Sequence, residues 1–177
     1  DRVAEAAETI PLDVAVIVQG DEPLFDPAVL APLVQPFRDD PAVECTNLIS
    51  VIRDPADLEN IDIVKAVLTE PGDVMYFSRA PIPYLREGDG RPMYRQTGVS
   101  AFSRNFLTRF SALSPTALEI AESVDFLRII GHGHRIRGVV SDAPTVGVDR
   151  PSDIAVVERI LAEDPAQSAI MQRIAAS

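Results

Sequence analysis

Two acidic loops carry residue types and spacings that suit ligand chemistry. The first, Gln19-Gly20-Asp21-Glu22-Pro23, follows directly on the apolar run Val14–Val18. Gly20 lets the backbone turn or approach a ligand closely. Asp21 then projects a carboxylate from a strand end, and Mg²⁺ takes one or two such ligands beside phosphate oxygens. The plainer role for Asp21 is a loop acid that caps the next turn. The second loop is Gly147-Val148-Asp149-Arg150-Pro151. With Pro151 as the first helical residue, Arg150 falls at the N-cap, where arginine caps poorly. Asp149 lies one residue too early to cap, whereas Asp153 in the first turn suits the helix dipole. Asp149 divides evenly between a ligand role and a structural one. The carboxylates of Asp21 and Asp149 are expected to converge across one cleft, where a single cation could bridge them.

Other candidates are cationic or paired. Lys65 is the only lysine, against fifteen arginines. A compact point charge on a phosphate or carboxylate is a place where Arg does not substitute, and a chance surface lysine is the alternative. Arg79, in Tyr76-Phe77-Ser78-Arg79-Ala80-Pro81, could clamp a carboxylate or phosphate bidentately or pair with a surface acid. Glu119 and Glu122 lie three apart, so they share a helix face. Either they accept hydrogen bonds from a polyhydroxyl ligand or an Arg, or they form a solvated face opposite an apolar stripe of Leu118, Ala121, Val124 and Leu127. His132 and His134 have no adjacent Cys and read as loop residues rather than a metal site. Cys45 is the only cysteine and reads as a small core residue.

These residues must be held by elements that the sequence also marks. The chain has 177 residues, 46% apolar and 24% charged, with mean hydropathy +0.09. That composition suits one packed domain and excludes a disordered chain. The net charge is −11, which argues against nucleic acid as a main partner. No apolar run approaches the length of a membrane span, and the lone cysteine favours a reducing, cytoplasmic setting. Val14–Val18 reads as a strand buried on both faces. Further strands are expected over Thr46–Ile52, Val64–Leu68, Val74–Phe77, Gly98–Phe102 and Arg137–Val140, with Val64–Leu68 and Val74–Phe77 forming a hairpin around Pro71-Gly72. Helices are expected over Asp1–Thr9, Pro27–Phe37, Arg104–Leu113, Thr116–Ile130 and Pro151–Glu163, with a loop or lid over Pro81–Pro92. Residues 1–163 read as one domain, and 164–177 as a last helix or tail. The alternation predicts an α/β fold with a mostly parallel sheet and an inserted antiparallel part. Ligands in such sheets sit beyond the carboxyl ends of strands, which selects the loops after Val18, after Phe77 and before Pro151.

Taken in order, Val18-Gln19-Gly20-Asp21-Glu22-Pro23, Val64-Lys65, Tyr76-Phe77-Ser78-Arg79-Ala80 with Ile82-Pro83, Leu118-Glu119…Glu122…Leu127-Arg128, and Gly147-Val148-Asp149…Pro151…Asp153 resemble the 3-deoxy-manno-octulosonate (Kdo) cytidylyltransferases. The likeness runs from Asp1 to about Glu163. It implies a Rossmann-like nucleotidyltransferase fold, CTP and an acidic 3-deoxy sugar as substrates, Mg²⁺ as cofactor and a homodimer. By motif, Asp21 and Asp149 correspond to metal ligands and Lys65 to a cation lining the site. Gln19, Arg79, Gln96, Ser100, Glu119 and Glu122 correspond to substrate-binding positions. The family begins with a further strand and an Arg…Leu-Pro-Gly-Lys loop for the triphosphate; this chain lacks that part, so residues 1–177 alone are not expected to turn over CTP. Where the family has His-x-Gly-Ile-Tyr, this chain reads Gln96-Thr97-Gly98-Val99-Ser100. That departure leaves a related acidic sugar, such as an amino-Kdo or a nonulosonate, as an alternative substrate. A non-catalytic sugar-nucleotide-binding module is the alternative outside enzymes.

Overall fold

The computed structural model describes residues 2–86, 90–142, 147–148 and 150–175. In chain order the elements are α1 (Arg2–Thr9), β1 (Val14–Val18), a 3₁₀ turn (Pro27–Val29), α2 (Leu30–Asp39), β2 (Cys45–Ile52), α3 (Ala56–Glu59), β3 (Lys65–Leu68), β4 (Val74–Ser78), β5 (Met93–Ser103), α4 (Arg104–Ala112), α5 (Ala117–Glu122), α6 (Phe126–Gly131), β6 (Arg137–Ser141), α7 (Pro151–Glu163) and α8 (Pro165–Ala175).

Six strands form one sheet in the order β4-β3-β5-β2-β6, with β1 also paired to β5. Strand direction refines the expected topology. β1, β2, β3 and β6 all run the same way, because the first three are antiparallel to β5 and β6 is parallel to β2. The long, reversed β5 lies among them, so β2·β6 is the one parallel ladder among the described strands. The antiparallel part therefore lies at the centre of the sheet. Parallel neighbours need a crossover, usually helical. The connection from β4 to β5 contains no described helix, and β5 enters the sheet reversed. The β3·β4 hairpin pairs as the sequence predicts.

β2 runs between β5 and β6, and its residues Cys45 to Ser50 are all buried. The side chains of Thr46 and Asn47 bond to neighbouring elements, although Asn47 Oδ1 is buried without a hydrogen-bond partner among the described residues. Thr46 Oγ1 donates to Leu33 O on α2 at 2.9 Å, and Asn47 Nδ2 donates to Val99 O at 3.0 Å and Thr97 O at 3.2 Å. The Asn47 amide thereby fills the register shift between Asn47 and Ile49. An aromatic cluster holds the helices to the sheet. Phe102 on β5 lies 5.8 Å from Phe126 on α6, and Phe77 on β4 meets Phe126 edge-on at 6.1 Å. Cys45 is fully buried, and that burial pushes its thiol pKa well up, as expected of an inert core cysteine.

The expected helix over Thr116–Ile130 is two helices. Ser123 takes a left-handed conformation, φ 52°, and ends α5 after Glu122. The stripe breaks with it: Val124 and Leu127 are buried, but Leu118 is 42% exposed. Ala121 is exposed too. Glu119 and Glu122 turn inward instead, because polar partners await them there.

Candidate active-site cleft

One cavity of about 1150 Å³ opens beside the carboxyl end of β1, the amino end of β3 and the carboxyl end of β4, and so takes in loops the sequence selects. Its walls come from the loop after β1 (Gln19, Asp21, Glu22), from β5 (Arg95, Gln96, Gly98, Ser100), from the Asn60–Ile63 loop, and from Arg79. The α5–α6 hinge and the start of α7 complete it.

The loop after β1 is fastened to β5 and to the second acidic loop. Gln19 N donates to Gly98 O at 3.1 Å, and Glu22 Oε1 accepts from Gly98 N at 2.7 Å. Val148 N donates to Asp21 O at 2.9 Å, so the two loops meet at the backbone. Asp149 itself lies outside the described residues. Among the described residues the Asp21 carboxylate makes no hydrogen bond. The glycine that matters sterically is not Gly20, where a Cβ would meet nothing within 4 Å. It is Gly98, where a Cβ would stand 2.5 Å from Gln19 Oε1. The Gln19 side chain therefore lies across bare β5 backbone, which any larger residue would deny it.

At the other side of the cleft, charged groups bond to protein. Arg79 Nε donates to Glu122 O at 2.7 Å, Nη1 to Ile61 O at 2.8 Å and Nη2 to Ser123 O at 3.4 Å. A guanidinium has five N–H donors, so two remain for the cleft that Arg79 lines. Glu122 accepts from Ser78 Oγ at 2.7 Å and Arg79 N at 2.9 Å. Burial pushes the Glu122 carboxyl up, but these donors and the Tyr76 hydroxyl outweigh it and hold its pKa below the usual range. Glu119 takes both an Arg128 Nε at 2.9 Å and an Nη2 at 2.5 Å, and accepts from Thr116 N in a capping box. The Arg128 hydrogen bonds hold its pKa down. Neither Glu119 nor Glu122 lines the cavity.

Lys65 does not line it either. Its side chain is fully buried, and Nζ donates to Asn60 O at 2.7 Å and to Ile63 O and Arg79 O at 2.8 Å. An ammonium has three donors, and all three are used on carbonyls. The sequence-expected cation facing a ligand is thus a cation facing backbone. Burial lowers its pKa from the usual lysine value.

The structure brings Gln19, Asp21, Arg79, Gln96 and Ser100 to one cleft. It also adds residues the sequence reading missed. Arg95 and Asp57 approach each other at 4.0 Å on the cleft wall, and Asp125 lines it from the hinge. Arg95 stands next to Gln96 on an exposed-looking polar stretch, so only the β2–β5–β3 pairing reveals its burial. Arg150, at the start of α7, pairs with Asp62 across the mouth. His132 and His134 bond apart, to Ser114 O and Glu44, and no group of three or more metal-type side chains occurs among the described residues.

The cytidylyltransferase sequence profile matches residues 1–136. A 3-deoxy-manno-octulosonate cytidylyltransferase of Chlorobaculum parvum is 43% identical over 169 residues, covering 92% of this chain and 67% of that protein. The chain belongs to this cytidylyltransferase family. A second relative of the same name, from Chloroherpeton thalassium, is 40% identical over 166 residues, covering 92% of this chain and 68% of the relative. The chain therefore spans about two thirds of the length of these relatives. Among solved structures, a CMP:2-keto-3-deoxy-manno-octonic acid synthetase complexed with CTP superposes with a TM-score of 0.84 at 33% identity, over 93% of this chain and 68% of that one. The mixed α/β nucleotidyltransferase fold follows from that likeness. No described helix is long and apolar enough to cross a membrane.

Proposed function

We propose that this cytidylyltransferase moves a cytidylyl group from CTP to the anomeric hydroxyl of Kdo or a closely related acidic 3-deoxy sugar. The sugar oxygen forms a bond to the α-phosphorus, the bond to the β-phosphate oxygen breaks, and pyrophosphate leaves as CMP-sugar forms. The observation that carries the reading is the Asp21 loop. It is fastened to β5 at Gly98 and to the second acidic loop at Val148, and it presents a carboxylate to a cleft large enough for a nucleotide and a sugar.

The donor chemistry fits a hard cation. Mg²⁺ needs one or two carboxylates and takes its other ligands from phosphates and water, so a site without a protein cluster of three acids is suitable. Asp21 and Asp149 are the residues proposed to hold it. When bound, the ion would neutralise charge on the triphosphate. The chain's own residues orient the substrates. Gln19 reaches across Gly98, Arg79 offers its two remaining donors from a fixed position, and Gln96 and Ser100 shape the pocket on β5. Positioning of this kind accounts for a large part of rate enhancement in such displacements. A homodimer and a cytoplasmic setting belong to the same reading.

Pyrophosphate release is the test, measured on the full-length protein with CTP, UTP or ATP against Kdo, an amino-Kdo and a nonulosonate. The expected result is Mg²⁺-dependent release with CTP and one acidic sugar. Because a pocket built around one hydrogen-bond set rejects ligands that leave its groups unpaired, Gln96 and Ser100 make the sugar ranking informative. Release with none of the sugars would favour the non-catalytic binding module.

A further inference from the structure

The Asn60–Ile63 loop of the cleft wall belongs to no strand or helix, yet side chains from β3 and from the end of β4 hold its carbonyls. Lys65 Nζ binds its first and last carbonyls, Asn60 O and Ile63 O. Arg79 Nη1 binds the carbonyl between them, Ile61 O. Asp62 N donates to Asn60 Oδ1 at 2.9 Å, closing the turn on itself. The Asp62 carboxylate then pairs with Arg150 at the start of α7. The same ammonium also binds Arg79 O, at the end of β4. One buried nitrogen thus sets the loop and the Arg79 backbone relative to each other. Val64, just ahead of β3, ties the loop to β5, since Gln96 N donates to Val64 O at 2.9 Å.

From this arrangement we infer that Lys65 is a positioning residue of the cleft. Its ammonium fixes the Asn60–Ile63 loop against Arg79, so that the Arg79 guanidinium is presented to the acidic sugar at a set position. The inference rests on the proposed cytidylyl transfer for the identity of that ligand, and on geometry alone for the loop. It also accounts for a lone lysine in an arginine-rich chain. Three carbonyls converge on one point, which a tetrahedral ammonium satisfies and a planar guanidinium does not.

Lys65→Met and Lys65→Arg in the full-length protein test it, each followed by hydrogen exchange and by steady-state kinetics with CTP saturating. In both variants, amides at residues 61–63 should exchange at least about tenfold faster, while those of β2 and α6 change less than about twofold. The KM for the acidic sugar should rise about tenfold, with kcat at saturating sugar within about threefold of the parent, because ground-state presentation is what is lost. Lys65→Arg keeps the charge and carries the test if Lys65→Met does not fold. A uniform rise in exchange across the sheet would overturn the inference, as would parent-like behaviour of Lys65→Arg. So would a kcat loss with KM unchanged, which would return the ammonium to the reacting atoms. If the parent protein transfers cytidylyl groups to no sugar, the functional reading fails, while the exchange measurement still decides the role of Lys65 in the loop.

Discussion

Behind the side of the cleft that carries Arg79 and the α5–α6 hinge, charged side chains bond almost wholly to protein. Lys65 is saturated by carbonyls, Glu119 is taken bidentately by Arg128, and Glu122 accepts from Ser78 and Arg79. On the wall formed by the β1 loop and β5, backbone groups of Gly98 and Val148 and the Glu22 carboxylate do the fastening, and side chains such as Asp21 and Gln19 face the cavity. The contrast shows that motif residues of one family site divide into two kinds. Some face the cavity, and others hold those in place. Arg79 is the member of both sets, with three donors spent and two remaining.

Substitutions on the two walls should separate by readout. The largest effect is expected from Asp21→Asn, which keeps shape and removes charge. The rate of pyrophosphate release should fall by about two to four orders of magnitude, roughly 3–5 kcal/mol of transition-state stabilisation, with the thermal midpoint nearly unchanged. Arg128→Met comes next. It strands the half-buried Glu119 carboxylate and should lower unfolding stability by about 2–4 kcal/mol in urea titrations. Glu119→Gln should cost less, about 1–2 kcal/mol at neutral pH. Because the folded Glu119 pKa is depressed, that advantage of the parent is complete above the unfolded value of about 4.3 and is lost as pH falls through the lower folded value. Denaturation midpoints of the pair at pH 7 and pH 3 check this, and an undiminished gap at pH 3 would break the comparison. The smallest effect is expected from Ser123→Gly. It relieves a left-handed serine at the α5–α6 hinge and should stabilise by about 0.5–1 kcal/mol in the same titrations.

Much of this division lay beyond the sequence. The α/β class, the β3·β4 hairpin and the loop after β1 were legible, because apolar runs and Pro-Gly turns are local signals. The central place of β5 was not, since strand direction depends on a β4–β5 connection whose path no periodicity encodes. The helix break at Ser123 was hidden because Ser is not a usual left-handed residue, and an apolar stripe running from Leu118 to Leu127 argued for continuity. The inward turn of Glu119 and Glu122 depends on Arg128, Ser78 and Arg79, partners that only the fold assembles. Lys65 was singled out by its rarity, but its partners are carbonyls, and a sequence does not show where carbonyls converge.

Hydrogen exchange with and without CTP, Mg²⁺ and the acidic sugar tests the division most directly. The account expects ligand to slow exchange across residues 20–24 and 96–100 and to leave the amides of α5 and α6 unchanged, because those helices are held by the protein's own charges. Slowing concentrated on α5 and α6, with the loop after β1 unaffected, would contradict it.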